Sequence, residues 1–263
     1  MIKSILWDVD GTLAETERDG HLKAFNQAFE ALGLPWRWSE LRYGELLAVA
    51  GGRERLLHDM QSRRPALTHP QEREALAERV HRLKNELYAR LVGDGELPLR
   101  EGVRELLDDC DRAGVRLGIV TTTSRANVEI LLKTHLGERW ESKFAAVVCA
   151  QEAPKKKPDS QAYLLALEAL KLRPCEAVAL EDAPAGVAAA QAAGVPVIVT
   201  RSHFFARLES EGALAVGPSL GQAAGWRPMP DARAARIGLD QIIRWHARSC
   251  RAQQGSVSTT MAP

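Results

Sequence analysis

The sequence predicts an α/β fold, with a Rossmann-like parallel sheet core that an α-helical cap domain interrupts after the first strand. Two observations lead to this prediction. From about residue 93 onward, short apolar runs alternate with segments of helical periodicity, which is typical of parallel sheets covered by helices on both faces. Residues 16–92 instead contain one helical pattern after another and no convincing strand. We therefore expect an α/β core of residues 1–15 and 93–235 and a cap of residues 16–92.

The individual elements follow in chain order. Residues 2–9 form the first predicted strand, a short apolar run that Asp10 and Gly11 end. Residues 16–32 have helical periodicity, and Gly33 closes this helix. In the rest of the core, helices are predicted at 103–113, 127–134, 161–170 and 185–193, and strands at 115–120, 145–149, 177–180 and 195–199. Residues 236–250 form a C-terminal helix, and the small polar residues of 251–263 predict a disordered tail.

The composition favours a cytoplasmic protein without a nucleic-acid or membrane partner. The chain of 263 residues carries 35 Lys and Arg against 34 Asp and Glu, so it lacks the basic excess of nucleic-acid-binding proteins. The apolar run near the N-terminus is too short for a signal peptide, and no uncharged stretch approaches the ~18 residues of a membrane span. The four cysteines form no CxxC pair, which argues against a disulfide framework or a zinc site. We also expect a monomer.

Four polar clusters follow four of the predicted strands. They are Asp8 with Asp10, the run TTTS at 121–124, the run KKK at 155–157, and Glu181 with Asp182. Each cluster alone is typical of a turn, a helix N-cap or a solvated loop. Because the carboxyl ends of parallel strands lie at one edge of a sheet, the four clusters together predict one site.

The residue types at this site indicate phosphoryl transfer. Asp8, Asp10 and Asp182 can gather around Mg²⁺, a hard cation that prefers oxygen ligands and offsets the repulsion between carboxylates. One carboxylate can attack phosphorus to form an aspartyl-phosphate, and its neighbour can serve as acid for the leaving oxygen and as base for the attacking water. A threonine hydroxyl, a lysine ammonium and helix N-terminal N–H groups can hold the phosphoryl oxygens.

The motifs DVDGTL, TTTS, KP and ED occur in this order over most of the chain, and this set resembles the haloacid dehalogenase superfamily. The helical insert after the first motif resembles the cap of the β-phosphoglucomutase-like branch. The resemblance implies that Asp8 is the nucleophile and that Asp10 is the general acid/base, whose backbone carbonyl also binds Mg²⁺. It further implies that Asp8 and Asp182 bind the metal with Glu181 beside them, and that Thr121 is the hydroxyl of the second motif.

The third motif leaves a choice of lysine. Lys157, directly before Pro158, matches the motif lysine, and Lys155 and Lys156 are the alternatives. Trp7 stands where the family usually has phenylalanine before the nucleophile, and we interpret this as a change of packing rather than of chemistry.

The cap gives a finer resemblance. The stretches ETERDGHLKAFNQAF, LRYGELLAVAGGRER, RLKNELYARLV and LPLREGV are similar to the CbbY branch, whose members act as sugar-bisphosphate phosphatases, notably on xylulose-1,5-bisphosphate. A substrate with two phosphates needs cationic groups away from the metal, and arginines beside glycines suit phosphate capture. The substrate-binding residues that we expect are Glu15, His21, Gly51, Gly52, Arg53, Arg55, Lys84, Thr122, Thr123 and Ser124, with Arg100 as a further candidate.

Alternatives stay open for the cap residues and for the reaction. Arg53 and Arg55 could pair with Glu54 on a helix surface, Lys84 could lie on a solvated face, and His21 could be a packed histidine. The same core site would serve a phosphomutase of the β-phosphoglucomutase type or a phosphoglycolate phosphatase. A non-enzymatic binding protein on this scaffold would have lost the nucleophile or the metal-binding aspartates, and all of them are present.

Overall fold

Six parallel strands form one sheet in the described part of the chain, which in this computed structural model comprises residues 2–63 and 69–258. The strands are β1 (Ser4–Trp7), β2 (Arg116–Val120), β3 (Phe144–Val148), β4 (Ala177–Glu181), β5 (Val197–Thr200) and β6 (Ala215–Gly217). Their order across the sheet is β3-β2-β1-β4-β5-β6, and each pair of neighbours is parallel. The predicted α/β class with a parallel sheet is confirmed.

Helices cover the sheet and build the cap. They are α1 (Lys23–Ala31), α2 (Glu40–Leu46), α3 (Gly52–Gln61), α4 (Pro70–Gly93), α5 (Val103–Ala113), α6 (Arg125–Leu136), α7 (Gln161–Leu170), α8 (Pro184–Ala192) and α9 (Leu239–Ser258). A π-helical segment (Glu17–Leu22) leads into α1, and 3₁₀ turns (Trp140–Lys143 and Pro174–Glu176) precede β3 and β4. We use the name cap for the predicted insert, which contains the π-helical segment and α1 to α4. None of the helices in the described ranges is long and apolar enough to cross a membrane.

Alternate residues of the central strand β1 enter two apolar cores, one on each face of the sheet. Ile5 and Trp7 belong to a core that includes residues of α5, α6 and α9, whereas Leu6 belongs to the core under α7 and α8. β1 lies between β2 and β4, with Trp7 opposite Ile119 on one side and Leu180 on the other. A strand that is buried on both faces and paired on both edges cannot shift its register, so the residues that follow it hold fixed positions.

The cap has an apolar core of its own. The rings of Phe25 and Phe29 pack against Trp38, with centroids 4.7 and 5.0 Å from that of the indole. Trp38 Nε1 donates to Asp59 Oδ2 at 2.7 Å, and Arg42 Nη2 donates to the other oxygen of this buried carboxylate at 2.8 Å. Because these partners come from different segments of the cap, the network fixes the cap helices relative to one another.

The chain crosses between core and cap twice, and the two crossings run side by side. Ala14 of the outgoing chain forms an isolated antiparallel bridge with Leu99 of the returning chain. Next to this bridge, the backbone N–H of Arg100 donates to the carbonyl of Leu13 at 2.8 Å. The longest cap helix, α4, contacts α6 of the core as well as α1 of the cap.

Two elements differ from the sequence prediction within the core and the cap. The helix predicted at 16–32 begins with π-helical turns, in which Gly20 lies so close to the ring of Tyr88 that a Cβ has no room. The strand β6 has three residues, which is too short for a periodic pattern to reveal.

The C-terminal helix is longer than predicted. It continues to Ser258, so residues 251–258 are helical where we expected a disordered tail. Leu239, Ile242 and Trp245 anchor the first turns of α9 in the core, and helix growth from an anchored turn is cooperative. The rest of the predicted tail, residues 259–263, lies outside the described residues.

Candidate active site

Three buried carboxylates meet at the carboxyl ends of β1 and β4. Asp8 follows β1, Glu181 ends β4 and Asp182 comes next, and one oxygen of each lies within 4.8 Å of the others. The strand order of the sheet reverses between these two neighbouring strands. Ligand sites of open parallel sheets form at such a reversal. The structure thus brings together the two strand ends that the sequence singled out.

The chain around Asp182 leaves its carboxylate little freedom. Gly11 has a φ of +85°, and a Cβ at this position would collide with Asp182 Oδ2. Ser202 Oγ donates to the same oxygen at 2.6 Å, and Thr12 Oγ1 lies 3.4 Å from Oδ1. The glycine after Asp10 is therefore required by the close approach of Asp182 to the backbone.

Lys157 is the lysine that the fold brings to the carboxylates. Its Nζ donates to Asp8 Oδ1, to Glu181 Oε1 and to the carbonyl of Val120, each at 2.7 Å. The hydroxyl of Tyr163 donates to the same oxygen of Glu181. Lys157 therefore links the strand ends of β1, β2 and β4.

The two neighbouring lysines lie elsewhere. Lys156 Nζ forms an ion pair with Glu54 Oε1 of the cap at a distance of 2.6 Å, and Lys155 is exposed. The geometry consequently selects Lys157, among the three adjacent candidates, as the partner of Asp8.

The carboxylates carry more negative charge than Lys157 balances. Burial raises the pKa of Asp8 to about 7; Lys157 opposes this shift, and the charges of Glu181 and Asp10 add to it. Burial and the charge of Asp8 raise the pKa of Asp182 well above its usual value. A buried cluster of oxygen ligands with this excess of negative charge fits a hard divalent cation such as Mg²⁺.

Asp10 is oriented towards the cap. Its Oδ1 accepts a hydrogen bond from Thr16 Oγ1 at 2.5 Å and lies 3.1 Å from His21 Nε2. Burial opposes ionisation of Asp10, but the charge and hydrogen bond of His21 and the hydrogen bond of Thr16 outweigh it and lower the pKa to about 2. The His21 ring also packs on Tyr88, with centroids 4.4 Å apart. His21 is therefore both a packed histidine and a direct partner of Asp10.

Two adjoining cavities lie between core and cap. The larger has a volume of about 210 Å³, and the smaller, of about 80 Å³, lies over Asp8, Glu181 and Asp182. Both are lined by Asp10, Glu17, Gly51, Arg55 and Thr122. A ligand whose reacting end lies in the smaller cavity can thus place its other end in the larger one.

All but one of the predicted substrate-binding residues line the larger cavity, namely His21, Gly51, Gly52, Arg53, Arg55, Lys84, Thr122, Thr123 and Ser124. Glu15 lines neither cavity. Its carboxylate lies 3.4 Å from Arg100 Nε and accepts a hydrogen bond from the backbone N–H of His203. Arg100, the further candidate, is also absent from both linings.

Thr121 is buried directly after β2, where its Oγ1 accepts a hydrogen bond from the N–H of Thr123 at 3.2 Å.

Carboxylates of the cap already balance the two arginines of the larger cavity. Arg53 forms ion pairs with Glu74 and, at 3.6 Å, with Glu78. Arg55 is buried, lies 3.5 Å from Glu17 and donates to the hydroxyl of Tyr43 at 2.7 Å. The alternative that these arginines pair with Glu54 is not borne out among the described residues; Glu54 forms an ion pair with Lys156 instead.

Lys84 differs from the two arginines. It is buried, donates to the neutral side chain of Asn85 at 3.2 Å, and lies 5.3 Å from the ring centroids of Phe25 and Tyr88. Burial lowers the pKa of Lys84 to about 8, although the charges of Asp10 and Glu17 oppose the shift. The cavity wall therefore holds a cation whose burial is only partly compensated.

Three polar lining residues escaped the sequence analysis: Glu17, His81 and Asn127. His81 lies three residues before Lys84 on α4, a helical spacing that could have indicated it. Asn127 Nδ2 donates to Thr123 Oγ1 at 3.2 Å, three residues after the N-cap Ser124. For Glu17 no local signal exists, since its place depends on how the cap meets the core. Lys156, an alternative for the third-motif lysine, lines the larger cavity instead.

Comparison with known proteins agrees with this architecture. A family model described as haloacid dehalogenase-like hydrolase matches residues 2–194. The plasmid-borne protein CbbY of Cupriavidus necator is 42% identical over 247 residues, which cover 93% of this chain and 97% of that protein. CbbY of Cereibacter sphaeroides is 40% identical over 215 residues, covering 81% of this chain and 90% of the relative.

Solved structures of CbbY are also similar to this chain. The crystal structure of CbbY from Rhodobacter sphaeroides in complex with phosphate superposes with a TM-score of 0.78 at 38% identity, covering 86% of this chain and 97% of that one. A mutant of the same protein in complex with xylulose-1,5-bisphosphate matches equally well. A β-phosphoglucomutase from Clostridium difficile has a TM-score of 0.71 at 18% identity, covering 95% of this chain and 99% of that one, which shows a shared fold alone.

Proposed function

Because the chain belongs to the haloacid dehalogenase-like hydrolase family, and is a CbbY-like phosphatase within it, we propose that it hydrolyses a sugar bisphosphate, with xylulose-1,5-bisphosphate as the substrate. The observation that supports this proposal is the pair of adjoining cavities. The smaller one lies over the carboxylate cluster, and the larger one is lined by Lys84 and by the hydroxyls of Thr123 and Ser124. The complex of the Rhodobacter sphaeroides relative with xylulose-1,5-bisphosphate supports the choice of sugar.

Asp8 is the nucleophile in this proposal. Its carboxylate attacks phosphorus, the bond between phosphorus and the sugar oxygen breaks, and an aspartyl-phosphate forms on Asp8. Lys157 Nζ, 2.7 Å from Asp8 Oδ1, holds the carboxylate in place and lies where it can balance charge on the phosphoryl group. We assign the hydroxyl of Thr121 to a phosphoryl oxygen, because it follows β2, the strand beside β1.

Asp10 completes the proton transfers. Protonated Asp10 gives its proton to the leaving sugar oxygen, and the resulting carboxylate then takes a proton from the water that attacks phosphorus. The bond between phosphorus and the Asp8 oxygen breaks in this second step, which releases inorganic phosphate and leaves Asp8 free and Asp10 protonated. The contacts from Thr16 and His21 favour ionised Asp10, which is the form that the second step needs.

Mg²⁺ bound by Asp8, Asp182 and the backbone carbonyl of Asp10, with Glu181 beside them, would supply positive charge that offsets the repulsion between Asp8 and a phosphate anion. The residues fit this group, because their oxygens are close together, buried and short of positive charge. Lys157 and Tyr163 both donate to Glu181 Oε1, and this holds Glu181 in the cluster.

Lys84 and the hydroxyl run of the core are the groups that we assign to the second phosphate. Lys84 lies in the wall of the larger cavity and has a neutral hydrogen-bond partner, so its charge is available to an anion. Thr123 and Ser124 line the same cavity at the N-terminus of α6, where backbone N–H groups favour anions. Arg53 and Arg55 would contribute only by leaving their carboxylate partners.

The test is phosphate release with Mg²⁺ from a panel of substrates. The panel comprises xylulose-1,5-bisphosphate, ribulose-1,5-bisphosphate, β-glucose-1-phosphate, β-glucose-1,6-bisphosphate and phosphoglycolate. We expect fast release from xylulose-1,5-bisphosphate, and its loss in Asp8→Asn, a variant that keeps the shape of the side chain.

Other outcomes would change the proposal. Glucose-6-phosphate formed from β-glucose-1-phosphate with little free phosphate would make the protein a mutase. Preference for phosphoglycolate would contradict the assignment of a second phosphate site. Turnover of none of the five substrates would contradict the choice of sugar bisphosphate. The monomeric state and the cytoplasmic location remain predictions that sedimentation and fractionation can check.

A further inference from the structure

Arg100 is largely but not fully buried, and it lines neither of the two cavities between core and cap. It lies on the chain that returns from the cap, directly after the bridge between Ala14 and Leu99. Its guanidinium donates to the carbonyls of Gly11, Thr200, Arg201 and Pro218, the last three at 3.0, 2.6 and 2.9 Å. One side chain thus holds the loop after β1, the end of β5 and the segment after β6.

Two of these carbonyls belong to segments that lie against the Asp182 carboxylate. Gly11 lies against Asp182 Oδ2 so closely that a Cβ does not fit, and Ser202, the residue after Arg201, donates to the same oxygen at 2.6 Å. Arg100 therefore ties together two backbone segments that lie against Asp182.

Arg100 is little exposed, yet most of its hydrogen-bond partners are neutral. The side chain is 9% exposed, and its nearest carboxylate is that of Glu15, whose oxygen lies 3.4 Å from Arg100 Nε. Its other partners are neutral carbonyls and the hydroxyl of Thr200. Burying a charge against neutral acceptors is costly. A planar fork with five N–H donors is, however, suited to fixing several carbonyls at once, which a lysine cannot do.

We propose that Arg100 is a positioning residue that sets the place of Asp182 relative to Asp8 and thereby the affinity of the site for Mg²⁺. The inference rests on the metal-binding role of Asp182 in the proposed function. Groups that orient metal ligands without touching the metal contribute about 10–100-fold to metal affinity. Because Arg100 lies where the returning chain leaves the cap, it also joins the cap boundary to a metal-binding carboxylate.

The test measures Mg²⁺ binding by calorimetry, without substrate, in wild type, Arg100→Gln and Arg100→Lys. We expect Arg100→Gln to weaken Mg²⁺ binding by about 10–100-fold. In Arg100→Lys the loss of affinity should be smaller but not absent, since one ammonium cannot bridge the carbonyls of Gly11 and Arg201 as the guanidinium does. In turnover, the Mg²⁺ concentration for half-maximal rate should rise while KM for the sugar phosphate stays within about twofold of wild type.

The matched control is Arg116→Gln. Arg116 also donates to a backbone carbonyl, that of Leu170 at 3.0 Å, but it lies at the start of β2, away from the site. This variant should bind Mg²⁺ like the wild type. Folding of each variant is checked by circular dichroism and thermal unfolding.

A folded Arg100→Gln variant with wild-type Mg²⁺ affinity would overturn the inference. If this variant is insoluble, Arg100→Lys decides in the same way, and unchanged affinity there would overturn the inference. The variant Asp182→Asn tests the proposed metal site separately from the role of Arg100. If this variant binds Mg²⁺ as the wild type does, the proposed metal site is wrong, whatever the Arg100 variants show.

Discussion

The two walls of the candidate active-site cleft differ in how far their charges are balanced. In the core wall, three carboxylates lie together and Lys157 is the cation in contact with them among the described residues. In the cap wall, Arg53 and Arg55 each have carboxylate partners from the cap itself. The core wall therefore has an excess of negative charge that a metal cation can offset. The cap wall is largely neutralised before any ligand arrives.

This difference distinguishes the core-wall groups that we assign to the reaction from the cap-wall groups that we assign to substrate recognition. Charges that are left unbalanced in a buried place are costly and are retained where a reaction uses them. Charges that are balanced by neighbours contribute shape and hydration more than binding energy. Lys84 is the exception in the cap, because it is buried and its hydrogen-bond partner is neutral. Substitutions on the two walls should accordingly have effects of different size and kind.

The largest effect is expected for Lys157→Met, compared with the adjacent Lys156→Met. Loss of Lys157 leaves Asp8 and Glu181 buried without their cation, so kcat should fall by about 10³-fold or more, and the free energy of unfolding by about 3–5 kcal/mol. Lys156 is paired with Glu54 at a partly exposed position, so its loss should cost at most ~1 kcal/mol. Phosphate release and urea unfolding measure both, and similar losses in the two variants would contradict the charge assignment.

A pH-dependent effect is expected for Lys84→Met. The pKa of Lys84 is lowered from 10.5 to about 8, so the unfolded state binds more protons between these pH values and stability rises with pH there. Below about pH 8 the buried ammonium costs about 3 kcal/mol, since one pKa unit corresponds to ~1.4 kcal/mol. Lys84→Met should therefore be more stable than wild type at pH 7, and this advantage should disappear as the pH approaches 10.5.

Urea unfolding at a series of pH values tests this expectation, and Lys23→Met is the matched control. Lys23 belongs to the same domain, but it is 47% exposed and pairs with Glu96, so its loss should give no such pH-dependent difference. In turnover, Lys84→Met should raise KM for the bisphosphate by about 10-fold. A stability difference between Lys84→Met and wild type that does not change between pH 7 and 10.5 would show that Lys84 is not a buried cation.

The smallest effect is expected for Arg53→Ala. Its guanidinium is paired with Glu74 and Glu78, so its removal should change KM for the bisphosphate by less than about threefold. Steady-state kinetics gives this value directly. A rise in KM above about 10-fold would mean that Arg53 leaves its partners to bind a phosphate, and the cap wall would then not be neutralised in the working enzyme.

The core wall could be predicted from the sequence to a much greater extent than the cap wall. Asp8, Thr121 and Asp182 each follow an apolar strand, and parallel pairing brings such strand ends to one edge. The sequence could not choose among Lys155, Lys156 and Lys157, because adjacent residues of a loop have no fixed direction until the chain is folded. Tertiary packing decides which groups each of these lysines contacts.

The cap wall depends on contacts between helices. Helical spacing relates residues of one helix, but Arg53 lies on α3 and its partners Glu74 and Glu78 lie on α4. Glu15 was expected to contact substrate because of its position after the first motif, yet the fold places it against Arg100 outside both cavities. A sequence pattern gives no register between two helices joined by an irregular link, so these assignments required the structure.

Trapping the phosphorylated enzyme tests most directly whether Asp8 is the nucleophile. Wild-type protein is mixed with Mg²⁺ and xylulose-1,5-bisphosphate, quenched in acid within milliseconds, digested and analysed by mass spectrometry. We expect one phosphoryl group on the peptide that contains Asp8, and none in Asp8→Asn. Rapid turnover with no phosphoryl group on that peptide, or with the group on another residue, would contradict this assignment.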